Sequence, residues 1–279
     1  PIGKLVLYVV GAGLHPDRTL PILLDVGTNN ETLLNDPLYL GMSHRRVGEQ
    51  EFLAIVDEFV EAATARWPHV LIQWEDFTND KAFPLLERYR EVGIDRLVVL
   101  RGDRPEGVSH GGPFNHANEL VAYIREAFGD AFHIEVACYP EFHPESESPA
   151  SEMHWFRQKV DAGADGAVTQ YFYNADSYFR FIDDCDRAGI RIPITPGIMP
   201  IGNYAQLARF SAMCGAEIPR WLRRRLEGLG DDRESVYRFG LDVVTELCER
   251  LLAGGAPGLH IYTLNRANTS LALWRRLDG

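Results

Sequence analysis

The chain has 279 residues, 46% of them hydrophobic and 24% charged, which suits a folded α/β protein and excludes a disordered or fibrous one. A net charge of −12 argues against nucleic acid or an anionic membrane as a partner, because either would bind against repulsion. The four cysteines, Cys138, Cys185, Cys214 and Cys248, form no CxxC pair, so neither a zinc site nor a disulfide framework follows and a reducing cytoplasm is the expected compartment.

Short apolar runs alternate with helical periodicity from end to end. Strands are predicted over residues 4–10, 21–26, 70–77, 96–101, 133–139, 166–172, 192–198 and 259–264. All are too short to span a membrane, and no signal peptide is expected before them. A helix predicted over 49–67 puts Phe52, Ile55, Val56, Phe59, Val60 and Ala63 on one face, at i, i+3, i+4, i+7 spacing. Another starts near Asp80 and runs to Gly93, with Pro84 tolerated near the first turn. Further helices are predicted over 114–128, 150–162, 175–188, 203–214, 231–253 and 266–277, with Gly163 and Gly189 as C′ residues. Eight strands alternating with helices predict an α/β, TIM-barrel-like (βα)8 fold in one combined domain. Between Gly11 and Leu20 there is room only for a turn, so the first two strands are expected to form a hairpin-like unit.

In such a barrel the working residues sit where strands end. The fourth predicted strand ends in Arg101-Gly102-Asp103, and the fifth is followed by Tyr139-Pro140-Glu141-Phe142-His143-Pro144-Glu145. The sixth ends in Thr169-Gln170-Tyr171-Phe172, the seventh in Pro196-Gly197-Ile198-Met199-Pro200 and the eighth in Tyr262-Thr263-Leu264-Asn265-Arg266. Each has a bland reading: an Arg-Gly-Asp loop, a rigid proline turn, a surface histidine. Their joint order at successive strand ends suits a flat heteroaromatic ligand bearing phosphates.

These segments carry a resemblance. Val98–Asp103 (VVLRGD), Phe114–Val121 (FNHANELV), Tyr139–Glu145 (YPEFHPE), Lys159–Ala164 (KVDAGA), Thr169–Phe172 (TQYF), Pro196–Pro200 (PGIMP) and Tyr262–Arg266 (YTLNR) resemble methylenetetrahydrofolate reductase, in order, from about Glu91 onward. The resemblance implies FAD across the barrel mouth, reduced by NADH or NADPH and passing hydride to 5,10-methylenetetrahydrofolate to give the 5-methyl form. It implies catalytic roles for Asp103 beside the flavin ring, for Gln170 toward folate or nicotinamide, and for Phe210, which packs on either substrate. Thr28, Arg101, Gly102, Asp103, His116, Ala117, Tyr139, His143, Glu152, Lys159 and Tyr262 fall at or near its flavin-contact positions. His116 stands where the family usually has tyrosine, and Glu152 where it usually has aspartate.

Residues 1 to about 90 differ. The family's Phe-Glu-Phe-Phe-Pro type motif on the first strand, with its catalytic acid, is missing; that strand ends Val10-Gly11-Ala12-Gly13-Leu14. Ile2–Tyr8 (IGKLVLY), Leu20–Asn30 (LPILLDVGTNN), Leu33–Gly41 (LLNDPLYLG), Leu71–Phe77 (LIQWEDF) and Ala82–Arg90 (AFPLLERYR) resemble malic enzyme instead. That resemblance implies metal ligation by Glu75 and Asp76, adjacent carboxylates that suit a hard divalent cation. The Gly-x-Gly that follows the first strand, Gly11-Ala12-Gly13, has Pro16 where a third glycine should be and fails the dinucleotide fingerprint. The chain thus reads as a chimera, 1–90 supplying three strands to a reductase segment at 91–279. Three readings follow: a flavoenzyme with impaired folate reduction, an inactive chimeric barrel, or a metal- and malate-binding remnant. Folate and a nicotinamide cofactor are the implied partners; homo-oligomerisation is compatible with the sequence and not specified by it.

Overall fold

The computed structural model describes residues 5–7, 14–15, 18–19, 71–74, 83, 86–87, 89–91, 95–100, 114, 116–262 and 267–277. Its strands are β1 (Leu5–Leu7), β2 (Leu14–His15), β3 (Arg18–Thr19), β4 (Leu71–Trp74), β5 (Arg96–Val99), β6 (His133–Cys138), β7 (Gly166–Thr169), β8 (Ile194–Thr195), β9 (Gly197–Ile198) and β10 (Leu259–Ile261). The helices are α1 (Ala117–Phe128), α2 (Pro149–Asp161), α3 (Ala175–Arg187), α4 (Tyr204–Cys214), α5 (Arg220–Leu229), α6 (Arg233–Ala253) and α7 (Ala267–Leu277). The chain divides into two units, one of residues 9–136 and 162–164, the other of 1–8, 137–161 and 165–279.

In the first unit, β4, β5 and the start of β6 run parallel, with Leu71 opposite Arg96 and Arg96 opposite His133. Leu97, Val98, Val99, Ile134 and Val136 are all buried, the near-continuous apolar pattern of a parallel sheet covered on both faces. Helix α1 buries Leu120, Val121 and Ile124. Arg125 ties the end of this helix down: its guanidinium donates to the carbonyls of Gly163 (2.9 Å), Gly129 (3.0 Å) and Phe132 (2.8 Å). An antiparallel pair, β2 with β3, places Leu14 opposite Thr19.

In the second unit, β7 pairs in parallel with β8, and β10 lies between β1 and β9, again in parallel. Every residue of β7 is buried. Helix α3 shows why these helices start and stop where they do. Asn174 accepts the Asp176 N–H at 3.0 Å as N-cap, while Gly189, at φ 76°, lets the Ile190 N–H reach Cys185 O at 2.9 Å. A side chain at Gly189 would strain that left-handed turn. The buried face of α3 carries Tyr178, Phe181 and Cys185. The longest described helix, α6, is capped by Asp232 and buries Val236, Leu241, Val244, Leu247, Cys248 and Leu251.

This is an α/β fold with parallel strands, as predicted, and the segment resembling malic enzyme joins it at two places. Within their respective units β1 pairs with β10 and β4 pairs with β5, so each segment's strands hydrogen-bond to the other's. Three predicted details change. The strand predicted over 192–198 is two strands, because Pro196 has no N–H to offer a ladder; before it β8 pairs with β7, and after it β9 pairs with β10. Helix α5 was not anticipated, since only Leu222 and Leu226 face inward among four arginines, too few apolar positions to set a period. The antiparallel pair falls at residues 14–19, inside the segment read as a plain turn, whereas β1 pairs in parallel with β10. The strand predicted at 21–26 and the helix at 49–67 lie outside the described residues; of the helix at 80–93, residues 83, 86–87 and 89–91 are helical.

Candidate active site

Two strand ends of the second unit build the site. Where β6 ends, the Cys138 carbonyl accepts the Gln170 N–H at 2.8 Å, which brings Tyr139 and Gln170 out side by side. The loop after Tyr139 folds back on itself. The buried Glu152 carboxylate, from the first turn of α2, accepts the His143 N–H at 3.2 Å and the Ser146 hydroxyl. His143 Nδ1 accepts the Glu145 N–H at 3.1 Å, an arrangement that suits the tautomer with its proton on Nε2. Its ring meets Tyr139 edge-on, centroids 4.7 Å apart. Lys159, near the end of α2, donates to the Ala137 carbonyl at 2.6 Å, its ammonium 5.8 Å from the Tyr139 ring centroid. An aromatic ring, an imidazole N–H and an ammonium thus share one corner.

Thr169, at the end of β7, is fully buried and locks the next two strands. Its hydroxyl oxygen accepts the Gly197 N–H at 2.8 Å and its carbonyl accepts the Tyr262 hydroxyl at 2.9 Å. Gly197 is required for this approach, since a Cβ there would lie 2.1 Å from the Thr169 carbonyl oxygen. Gln170 uses its side-chain oxygen on the Tyr171 N–H at 3.0 Å, leaving its amide group to donate. Tyr171 bonds Ser211 at 3.0 Å, and the Cys214 thiol donates to it at 3.4 Å. Burial raises the pKa of both Tyr171 and Tyr262, so at neutral pH both are uncharged hydrogen-bonding groups rather than acids or bases. Burial likewise raises Glu141, partly offset by the Glu217 N–H it accepts at 2.7 Å.

Beside Tyr262 a small cleft opens, lined by Met199, Pro200 and Gly202, by Asn203, Gln206, Leu207 and Phe210 of α4, and by Thr269 and Ser270 of α7. Of the residues singled out from sequence, Tyr139, His143, Glu152 and Lys159 come together at one corner, and Phe210 shares the cleft with Tyr262. Gln170 stands one residue beyond Thr169, the anchor of Tyr262. His116 and Ala117 lie in the other unit, where the His116 N–H donates to Glu119 at 3.4 Å at the start of α1. Thr28, Glu75, Asp76, Arg101, Gly102 and Asp103 lie outside the described residues. Among the described residues no group of three His, Cys, Asp or Glu could hold a metal ion. Asn203, Gln206 and Ser270 escaped sequence reasoning, although Asn203, Gln206 and Phe210 follow the i, i+3, i+7 spacing of one helix face.

The family model of methylenetetrahydrofolate reductase matches residues 76–278. This chain belongs to that family.

The model of the malic enzyme N-terminal domain matches residues 1–90, so two family signatures overlap at 76–90 in one chain. Methylenetetrahydrofolate reductase (NADH) 1 of Arabidopsis thaliana is 42% identical over 69% of this chain and 35% of its own length. The 5,10-methylenetetrahydrofolate reductase of Escherichia coli strain K12 is 39% identical over 72% of this chain and 67% of its own. The chain therefore spans about a third of the plant reductases it matches. An uncharacterized protein from Clostridium thermocellum that binds two copies of 5-methyl-5,6,7,8-tetrahydrofolic acid gives a TM-score of 0.48 at 17% identity, covering 84% of this chain and 92% of that one. Members of the reductase family are oxidoreductases, and the strand-end segments of this chain fall within the matched residues. Among the described residues, no helix is long and apolar enough to cross a membrane.

Proposed function

We propose that this chain is a flavin-dependent reductase that takes hydride from NADH or NADPH and delivers it to 5,10-methylenetetrahydrofolate, releasing the 5-methyl form. The observation that carries the reading is the convergence of Tyr139, His143 and Lys159 at the end of β6, next to the Gln170 and Tyr262 strand ends. A fixed ammonium, an imidazole N–H and an aromatic edge are the donors that a phosphate-bearing, flat cofactor needs, so the residues present fit FAD. FAD, when bound, supplies a two-electron carrier between the two substrates.

The chain's own residues bind and orient. Lys159 and His143 neutralise and hydrogen-bond the phosphate side, with Glu152 holding the His143 turn in place. Thr28, Arg101, Gly102, His116 and Ala117 complete the cofactor contacts, and Asp103 sets negative charge beside the ring. Gln170 donates to the bound substrate and Phe210 packs against its ring. Residues 1–90 and 91–279 act as one combined barrel, a reading supported by the β1–β10 and β4–β5 pairings. With no acid at the end of the first strand, protonation of the leaving folate nitrogen is unassisted, and folate reduction is slower than nicotinamide oxidation. Glu75 and Asp76 are relics of the malic-enzyme-like segment.

Purified protein mixed with FAD tests this directly. The expected result is a yellow complex that bleaches with NADH or NADPH and regains colour slowly with methylenetetrahydrofolate. A protein that retains no flavin after gel filtration refutes the proposal and favours an inactive chimera.

A further inference from the structure

Gln170 and the wall of the cleft formed by α4 belong to different elements, and one residue touches both. The Tyr171 N–H donates to the Gln170 side-chain oxygen at 3.0 Å, so a single contact sets the Gln170 carboxamide and leaves its NH2 to donate. The side chain of Tyr171 is buried, and its hydroxyl shares a 3.0 Å hydrogen bond with the buried Ser211 of α4. The thiol of Cys214, the last residue of that helix, donates to the same hydroxyl at 3.4 Å. Ser211 follows Phe210 directly and so lies just behind the residues of α4 that line the cleft.

These bonds carry weight because α4 has little else to hold it. Of its 11 residues only Leu207 and Ser211 are buried. One apolar anchor is non-directional, whereas a buried hydrogen bond fixes both distance and angle. Tyr173, two residues further on, uses the same device on another part of the wall: its hydroxyl donates to the Met199 carbonyl at 3.0 Å. We propose that Tyr171 is a positioning residue that fixes the α4 wall of the cleft relative to the Gln170 amide, so that a bound substrate meets both at a set spacing. That the two sides contact substrate rests on the reductase reading; the link between them does not.

Tyr171→Phe and Ser211→Ala each remove the bond and keep most of the packing, and Tyr173→Phe serves as comparison. Hydrogen–deuterium exchange of the whole chain without ligands reads the link itself. Loss of the bond should speed exchange of the α4 amides about fivefold in the first two variants and leave α4 in Tyr173→Phe at the parent's rate. With FAD bound, stopped-flow reduction by NADH reads the consequence. The half-saturating NADH concentration should rise about fivefold while the limiting rate stays within about twofold. The double variant should do no worse than Tyr171→Phe, because both changes remove the same bond. Unchanged α4 exchange in Tyr171→Phe overturns the link, and so does equal loosening of α4 by Tyr173→Phe. Faster α4 exchange with half-saturation equal to the parent's overturns the positioning role, because the bond then serves stability alone. A parent whose flavin NADH does not reduce overturns the reductase reading and the positioning role with it, while the exchange rates still decide whether the link exists.

Discussion

Replacing Gly197 with alanine should force the end of β7 away from β9. The added Cβ would sit 2.1 Å from the Thr169 carbonyl oxygen and 2.7 Å from the Tyr262 ring, against a practical limit of 3.0 Å. The backbone at Gly197 is not in the left-handed region, so the whole effect is steric. Because the nearest atom belongs to a backbone carbonyl, no side-chain rotation relieves the clash, and the overpacking costs about 1–3 kcal/mol. Moving Thr169 also breaks the bonds it accepts from the Gly197 N–H at 2.8 Å and the Tyr262 hydroxyl at 2.9 Å, each worth about 1 kcal/mol net. The total is about 3–5 kcal/mol. At roughly 2–4 °C per kcal/mol for a chain of this size, thermal denaturation followed by circular dichroism should show a drop of about 6–20 °C. Tyr262→Phe, which removes one of those bonds and adds no clash, should fall by only about 2–4 °C. A Gly197→Ala variant that melts no lower than Tyr262→Phe would falsify the claim that Thr169 and Gly197 are locked in contact.

Two further outcomes follow from the described groups. Lys159→Met removes the ammonium that spans Ala137 and Tyr139, and FAD should bind at least about tenfold more weakly; a flavin fluorescence titration superimposing on the parent's would remove Lys159 from the cofactor site. His260 is buried, which pushes its imidazole down to about 3, against an ordinary value near 6.5. Above about pH 6.5 neither folded nor unfolded chain holds that proton, so its contribution is fully present. As pH falls from there toward 3 the unfolded chain binds the proton first, and stability drops by up to about 1.4 kcal/mol per pH unit. His260→Leu should flatten that slope in urea titrations between pH 7 and 5, and an identical slope would refute the assignment.

The alternation of strands and helices was legible from one dimension because it is written in local chemistry. Gly189 follows a helical run and must take a positive φ, Asn174 and Asn203 precede runs they cap, and the all-buried β7 reads as an uncharged run of small and β-branched residues. Helix α5 was hidden because its inward face is two leucines wide, and a period needs more than two points. Strand 192–198 misled for a related reason: its apolar pattern is continuous, while the break comes from Pro196, which changes hydrogen-bonding partners without changing hydrophobicity.

The site divides along the same line. Sequence alone determined which residue types stand at the ends of successive strands, and the two family signatures that meet between residues 76 and 90, because order along the chain carries both. Tertiary structure decided what those residues do to one another. The tautomer that suits His143 follows from the Glu145 N–H, and the grip of Glu152 on the 143–146 turn from a carboxylate delivered by the next helix. Thr169 became the anchor of Gly197 and Tyr262 only when strands 28 and 93 residues away closed upon it.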